Sequence, residues 1–126
     1  MKKLFLLGFI FLASLSLVQA AYCGGSTQCN CGDTLIEDLT LNHDLLSCSG
    51  TWGLLIGSDN ITLDCSGHTI GGVDLIDSYG IHIINQDNIN VKNCHIKDFM
   101  HNLFTVETSF SEINNNTFQG GLYGIT

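Results

Sequence analysis

The chain has 126 residues, 4 basic and 12 acidic groups, 5 His, 6 Cys and no Pro, for a formal charge of −8. Arginine is absent. Nucleic acid is therefore excluded as a partner and an anionic membrane surface is disfavoured, since both need a basic surface. The length allows one small domain.

At the N-terminus, Lys2 and Lys3 precede an uncharged run from Leu4 to Val18, which ends in Val18-Gln19-Ala20. A charged start, an apolar core and a small-residue cleavage site make a secretory signal peptide over residues 1–20. The run from Leu4 to Val18 is shorter than the ~20 residues a helix needs to cross a bilayer. No stable membrane span is expected after cleavage; an uncleaved anchor is the alternative. Cleavage removes Lys2 and Lys3, so the mature chain is more acidic still, with Lys92 and Lys97 as its only cations.

Residues 21–51 hold four of the six cysteines, Cys23, Cys29, Cys31 and Cys48. This segment reads as a cysteine-rich N-terminal cap. An even cysteine count after a signal peptide points to disulfides and an oxidising compartment. The location expected is secreted, extracellular or cell-surface, and periplasmic in a Gram-negative host. Six cysteines allow fifteen connectivities. The pairing expected is Cys31 with Cys48, and Cys23 with Cys29 next. For Cys65 and Cys94 the alternative is burial as small apolar side chains. Zinc at Cys29-x-Cys31 is disfavoured, because structural zinc sites use a wider spacing.

From Trp52 onward, over residues 52–126, the sequence repeats. Gly80-Ile81, Asn102-Leu103 and Gly124-Ile125 recur at equal intervals, and at the same interval Val91, Asn93 and Ile96 map onto Ile113, Asn115 and Phe118. An earlier copy begins at Trp52, slightly further from Tyr79 than Tyr79 is from His101, and its Asp59-Asn60-Ile61 matches Asp87-Asn88-Ile89. The excess falls in Gly71–Ser78, a loop bulge on an otherwise constant coil. Apolar residues alternate at period two, as in Ile61/Leu63, Ile81/Ile83 and Ile89/Val91. Short strands separated by Asn, Asp, Gly and Ser turns describe an all-β, right-handed parallel β-helix. It has about three coils of about 22–27 residues in this reading, a period typical of solenoids. Asn93 and Asn115 are expected to stack as an amide ladder. A leucine-rich repeat fits the period, but its signature puts Asn three residues after the last strand Leu. Here Asn93 comes two positions after Val91.

Cys31-Gly32-Asp33-Thr34, Asp44-Leu45-Leu46-x-Cys48 and Ile56-Gly57-x-Asp59-Asn60-Ile61-Thr62-Leu63-Asp64-Cys65-x-Gly67-His68-Thr69-Ile70 resemble the opening of secreted right-handed parallel β-helix repeat proteins. These include the NosD-like group within the pectin-lyase-like superfamily. Asn88-Ile89-Asn90-Val91-Lys92-Asn93-Cys94-x-Ile96 and Glu112–Phe118 resemble that family's repeat. The resemblance runs from about Cys31 to the C-terminus and implies the fold. It does not fix an activity, because the superfamily holds lyases, hydrolases, epimerases, adhesins and non-catalytic surface proteins. Its catalytic members act on acidic polysaccharides, the lyases with an Arg or Lys base and the hydrolases with clustered Asp.

Candidate chemistry is sparse. Asp59 and Asp87 occupy equivalent places on adjacent coils, at the spacing of a retaining glycosidase pair. Asp-Asn before a strand is also a turn signal, with the carboxylate serving turn amides, and this is the favoured reading. Asp74 and Asp77 lie in the loop bulge, where calcium is a candidate through oxygen ligands; a solvated loop is favoured. The five His are scattered and do not converge as a copper site requires. Trp52, Tyr79, His101 and Tyr123 form a column at the coil openings. Facing out, they make an aromatic strip for carbohydrate contact. Facing in, as favoured, they are core at a coil corner. Asn60-Ile61-Thr62 and Asn115-Asn116-Thr117 are glycosylation sequons.

The functional expectation is a secreted or surface-exposed β-helix module, non-catalytic, that contacts polysaccharide or serves a structural role in a cell envelope. No cofactor or metal follows from the sequence beyond the calcium candidate. The alternative is a polysaccharide lyase or glycoside hydrolase whose active site lies in further coils. Tyr123-Gly124-Ile125-Thr126 opens a coil and stops, so the repeats are read as truncated at the C-terminus.

Overall fold

The computed structural model of the protein describes residues 21–126, in which every regular element is a strand. The signal-peptide segment, residues 1–20, lies outside the described residues. β1 (Tyr22–Cys23) precedes four coils of three strands each. The first is β2 (Asp33–Leu35), β3 (Leu39–Thr40) and β4 (Leu45–Cys48); the second is β5 (Trp52–Ile56), β6 (Thr62–Asp64) and β7 (Thr69–Gly72). The third is β8 (Tyr79–Ile84), β9 (Asn90–Lys92) and β10 (His95–Lys97); the fourth is β11 (His101–Val106), β12 (Glu112–Asn114) and β13 (Thr117–Gln119). β14 (Tyr123–Ile125) follows.

All strand pairings are parallel, and each strand pairs with its counterpart one coil on. Three sheets result. One has six strands, in the order β1-β2-β5-β8-β11-β14, and two have four, β3-β6-β9-β12 and β4-β7-β10-β13. The molecule is a parallel β-solenoid of four turns. The repeat register of the sequence is its strand register: Val91 lies beside Ile113, Ile96 beside Phe118 and Leu63 beside Val91.

One boundary, and with it the number of coils, differs from the sequence reading. Residues 21–51 are not all cap, because β2, β3 and β4 already belong to the three sheets. Asp33–Cys48 is thus a full coil, which makes four coils rather than three. Only the segment before it, with β1 and the Cys23–Cys29 bridge, lies outside the regular coils. The first coil escapes a fixed-period search because its offset to the second is not constant. Asp33 pairs Leu54, Leu39 pairs Leu63 and Leu45 pairs Ile70, so the offset widens from one face to the next.

Cys65 and Cys94 are buried, but as the third disulfide, which ties the second coil to the third. The expected pairs Cys31–Cys48 and Cys23–Cys29 are both formed.

Inward residues stack in columns along the axis. Leu54, Ile81 and Leu103 are fully buried in one, and Ile56 and Ile83 in the next. Each aliphatic side chain buried this way contributes about 1.5–3 kcal/mol. Gly71–Ser78 contains the expected bulge, which begins after β7: Val73, Leu75 and Ile76 stand exposed.

The corners turn through left-handed backbone. Asn60, Asn88, Asn93 and Asn115 have φ between 54° and 60°, a region asparagine visits more readily than other side-chain-bearing residues. Two amide ladders run along the axis there. Asn115 Nδ2 donates to Asn93 Oδ1 at 2.6 Å, and Asn93 Nδ2 donates to Asp64 Oδ1 at 3.0 Å. Asn88 Nδ2 donates to Asn60 Oδ1 at 2.8 Å. In the fourth coil the place of Asn60 and Asn88 is taken by Phe110, which is left-handed too (φ 54°) and 89% exposed.

Candidate functional site

The outer face of the six-stranded sheet carries the densest group of aromatic side chains. Trp52, Tyr79, His101 and Tyr123 lie in one register column, and Leu55, His82 and Phe104 in a second. The first column faces outward, which overturns the expectation of core. Trp52, Tyr79 and His101 are half-buried and Tyr123 is exposed. Strict alternation from Leu54 and Ile56 would turn Trp52 inward. It fails because two consecutive residues, Gly53 and Leu54, both face the interior. The phase therefore slips by one at the glycine, and the same slip recurs at Gly80-Ile81 and Asn102-Leu103.

Glycine holds that inward place because the next coil's carbonyl oxygen, an isoleucine of the third face (Ile70 or Ile96) and the Phe99 ring all close on it. A Cβ on Gly53 would come within 3.0 Å of Phe99 Cζ, and one on Gly80 within 3.0 Å of Phe99 Cδ2. In the fourth coil Asn102 takes the place, 1% exposed. Its Nδ2 donates to the Gly120 carbonyl at 3.0 Å, and its Oδ1 accepts from the Phe99 N–H at 3.3 Å.

The rings form a stack with two members turned off it. Tyr79 and His101 are stacked at 5.3 Å and 21°, and His101 and Tyr123 at 4.7 Å and 17°. His82 lies on Tyr79 at 4.5 Å and 22°. Phe104 stands at 51° to Tyr79 and 71° to His101, and Trp52 at 56° to His82. Trp52 is fixed by its Nε1–H, which donates to the Gly32 carbonyl at 3.1 Å. Contacts of this kind add about 0.5–1.5 kcal/mol per pair beyond area burial. Among the residues of β5, β8 and β11 none is Asp, Glu, Lys or Arg. The face is therefore uncharged apart from its histidines.

His82 is 8% exposed, and its Nδ1 is buried without a hydrogen-bond partner. Burial pushes its pKa below the ordinary 6.5. In the pH range between its folded and unfolded values, the unfolded chain binds the extra proton. Stability is then complete above about 6.5 and declines as the pH falls toward the folded value. Leu55 occupies this column one coil earlier, so His82→Leu suits the site. The expected result is a smaller loss of melting temperature for H82L than for the native chain between about pH 7.5 and pH 5.5. Equal losses in two thermal scans would dismiss this role of His82.

The acidic candidates do not form a pair for acid–base work. Asp59 Oδ1 accepts from the Asp87 N–H at 2.8 Å, and Asp87 Oδ1 accepts from the Ser109 N–H at 2.8 Å. Each carboxylate serves a turn amide of the following coil. Asp74 and Asp77 sit exposed in the loop bulge, and among the described residues no three His, Cys, Asp or Glu gather to hold a metal ion. His68 Nδ1 lies 3.1 Å from Asp44 Oδ1 and His95 Nε2 lies 3.1 Å from Gln119 Oε1, both outside the aromatic columns. Asn60 and Asn115 are exposed at corners. The Nδ2 of Asn115 is engaged in its ladder, whereas Asn60 takes part through Oδ1.

An open groove of about 560 Å³ crosses the corner of the Asn93 ladder, lined by Asp64, Asn93, His95, Asn115 and Thr117. The Asn93 amide and the Ser66 N–H hold the Asp64 carboxyl below its usual range. The groove is polar and its side chains already bond one another. Sequence reasoning missed His82 and Phe104. The signal was present, since each sits three positions after the ring that opens its coil, Tyr79 and His101.

No family model, curated protein or solved structure matches the chain. Among the described residues no helix is long and apolar enough to cross a membrane. The three disulfides fit an oxidising environment.

Proposed function

We propose that this is a secreted or surface-exposed, non-catalytic β-solenoid module that contacts polysaccharide through the outer face of its six-stranded sheet. The observation that carries the reading is the outward aromatic face around Trp52, Tyr79, Phe104 and Tyr123, held on a rigid stack of strands. Aromatic rings offer apolar faces for sugar C–H groups and, in tyrosine, a hydroxyl for sugar oxygens. The signal-peptide pattern at residues 1–20 and the disulfides support export. The similarity of the repeat to NosD-like and pectin-lyase-like proteins supports a polysaccharide setting. It carries no catalytic residues over, as arginine is absent and the aligned acids serve turns.

The test is retention of the mature chain on a panel of soluble and insoluble polysaccharides. Binding to at least one is expected, and Phe104→Ala with Tyr123→Ala should weaken it about tenfold or more, the equivalent of ~1.4 kcal/mol. Asp87→Asn should leave it unchanged. Retention on no member of a broad panel would leave a structural envelope role as the better account. Retention equal in the native chain and the double variant would place the contact elsewhere.

A further inference from the structure

The aromatic face has both a charge and a spacing, and together they select among polysaccharides. We infer that its ligand is an uncharged, β-1,4-linked glycan, extended along the solenoid axis, with Trp52 and Phe104 as its two ring contacts. This rests on the reading of the face as a polysaccharide surface and names the class that it takes.

Charge excludes the acidic glycans. The chain carries −8, and the strands β5, β8 and β11 supply no Lys or Arg. The cations Lys92 and Lys97 belong to β9 and β10, in the other two sheets. A uronate-rich chain on this face would meet no counter-charge and would feel the field of the net negative protein. The absence of Asp and Glu from the same three strands leaves a cationic glycan no local counter-charge.

Spacing selects the linkage. Tyr79, His82 and His101 stack on their neighbours, so most of their ring faces are already used, and Tyr123 lays one face on His101 beyond the fourth coil. Trp52 and Phe104 are the rings inclined to that stack, at 56° and at 51–71° to their neighbours. They belong to the second and fourth coils and start from different columns, but both rings close on His82, at 6.0 and 5.2 Å, so their centroids lie at most about 11 Å apart, close to the ~10 Å of two strand spacings. A two-fold β-1,4-linked pyranose chain turns the same face to one side at every second sugar, a repeat of the same length. Rings two coils apart therefore meet equivalent sugars. Between them lies Tyr79, and one strand beyond Phe104 lies Tyr123; among the described residues neither hydroxyl has a hydrogen-bond partner, so both can meet sugar oxygens.

The experiment compares retention on cellulose and chitin, both neutral and β-1,4-linked, with retention on polygalacturonate and on insoluble amylose, which is neutral but α-linked. Retention on cellulose or chitin, unaffected by added salt, is expected, with little on the other two. Phe104→Leu should reduce it about tenfold. L55F/F104L keeps the number of aromatic rings but moves one back by two coils, and should reduce retention as far as F104L does. Thermal scans of both variants exclude loss of fold as the cause. Salt-sensitive retention on polygalacturonate alone would overturn the neutral-glycan inference and leave the polysaccharide reading standing. Equal retention on amylose, or full retention of L55F/F104L, would overturn the two-coil register. Retention on none of the four, with binding elsewhere in the wider panel, would overturn the inference alone. Failure on the whole panel would overturn both.

Discussion

Phe99→Ala is expected to cost about 3–5 kcal/mol, the range for truncating a fully buried aromatic ring. Phe99 is 0% exposed. It sits at the corner between the third and first faces of the solenoid, and the space it fills is kept open by glycines on three strands. Gly72 and Gly80 would each bring a Cβ to within 3.0 Å of its ring, as would Gly53. One side chain thus replaces the inward side chains of two coils, and nothing adjacent can collapse into its place without moving a strand. For a domain of this size the loss corresponds to a fall in melting temperature on the order of 15–30 °C, against a typical total stability of about 5–15 kcal/mol. A companion change separates the ring from the backbone. A Cβ on Gly80 would meet the Asn102 carbonyl oxygen and come within 2.5 Å of Ile96 Cγ2. Gly80→Ala should therefore destabilise, and F99A should not rescue it, because the carbonyl stays where it is. Calorimetry on the two single variants and the double variant checks this. A fall of only a few degrees in F99A would show that the corner repacks without the ring.

The repeat made most of this architecture legible. A constant offset between the third and fourth coils, with unchanged internal spacing, can only be satisfied by equivalent strands lying side by side. The first coil was hidden for the opposite reason. Its corners have different lengths, so its three strands sit at three different offsets from their partners and share no period. Those strands, Asp33–Leu35, Leu39–Thr40 and Leu45–Cys48, are also too short to show alternation. Its cysteines read as a covalent staple, a role that says nothing about membership of a sheet.

The direction of the aromatic column was not legible, and the reason lies in one residue type. Alternation assigns a face only while every strand residue takes its turn. At Gly53 and Gly80 a residue without a side chain sits inward beside an inward Leu54 or Ile81, and the phase shifts. What closes on those glycines is remote in sequence: the carbonyl oxygen of the next coil, Ile70 or Ile96 of the third face, and Phe99. No local pattern carries that information. The turn role of Asp59 and Asp87 was legible because Asp-Asn is a local turn signal, although the amide each carboxylate serves belongs to the following coil.

Graded reduction should open the disulfides in the order of their burial, and full reduction should unfold the chain. The bridges close sequence separations of 6, 17 and 29 residues. In the chain-entropy model they contribute about 2.2, 3.1 and 3.6 kcal/mol. Together these rival the whole stability usual for a small domain. Thiol exchange needs access to a sulfur. Among the described residues Cys31 is the one exposed cysteine, while Cys65 and Cys94 are 0% and 2% exposed beneath the corner between the second and third faces. Cys31–Cys48 should therefore reduce first, under conditions that leave the other two intact. Its loss should lower the melting temperature without abolishing a sharp transition. Cys65–Cys94 joins two neighbouring coils whose strands are already paired, so its sulfurs become reachable only when β6 and β9 separate. Its reduction should coincide with unfolding. Cys65→Ala with Cys94→Ala removes the bridge that spans the longest loop and should cost about 3.6 kcal/mol on the same model. Timed reduction, alkylation and peptide mapping, followed in parallel by circular dichroism, reads both the order and the coupling. Early labelling of Cys65 or Cys94 in a chain that keeps its β signal would show that the corner opens locally.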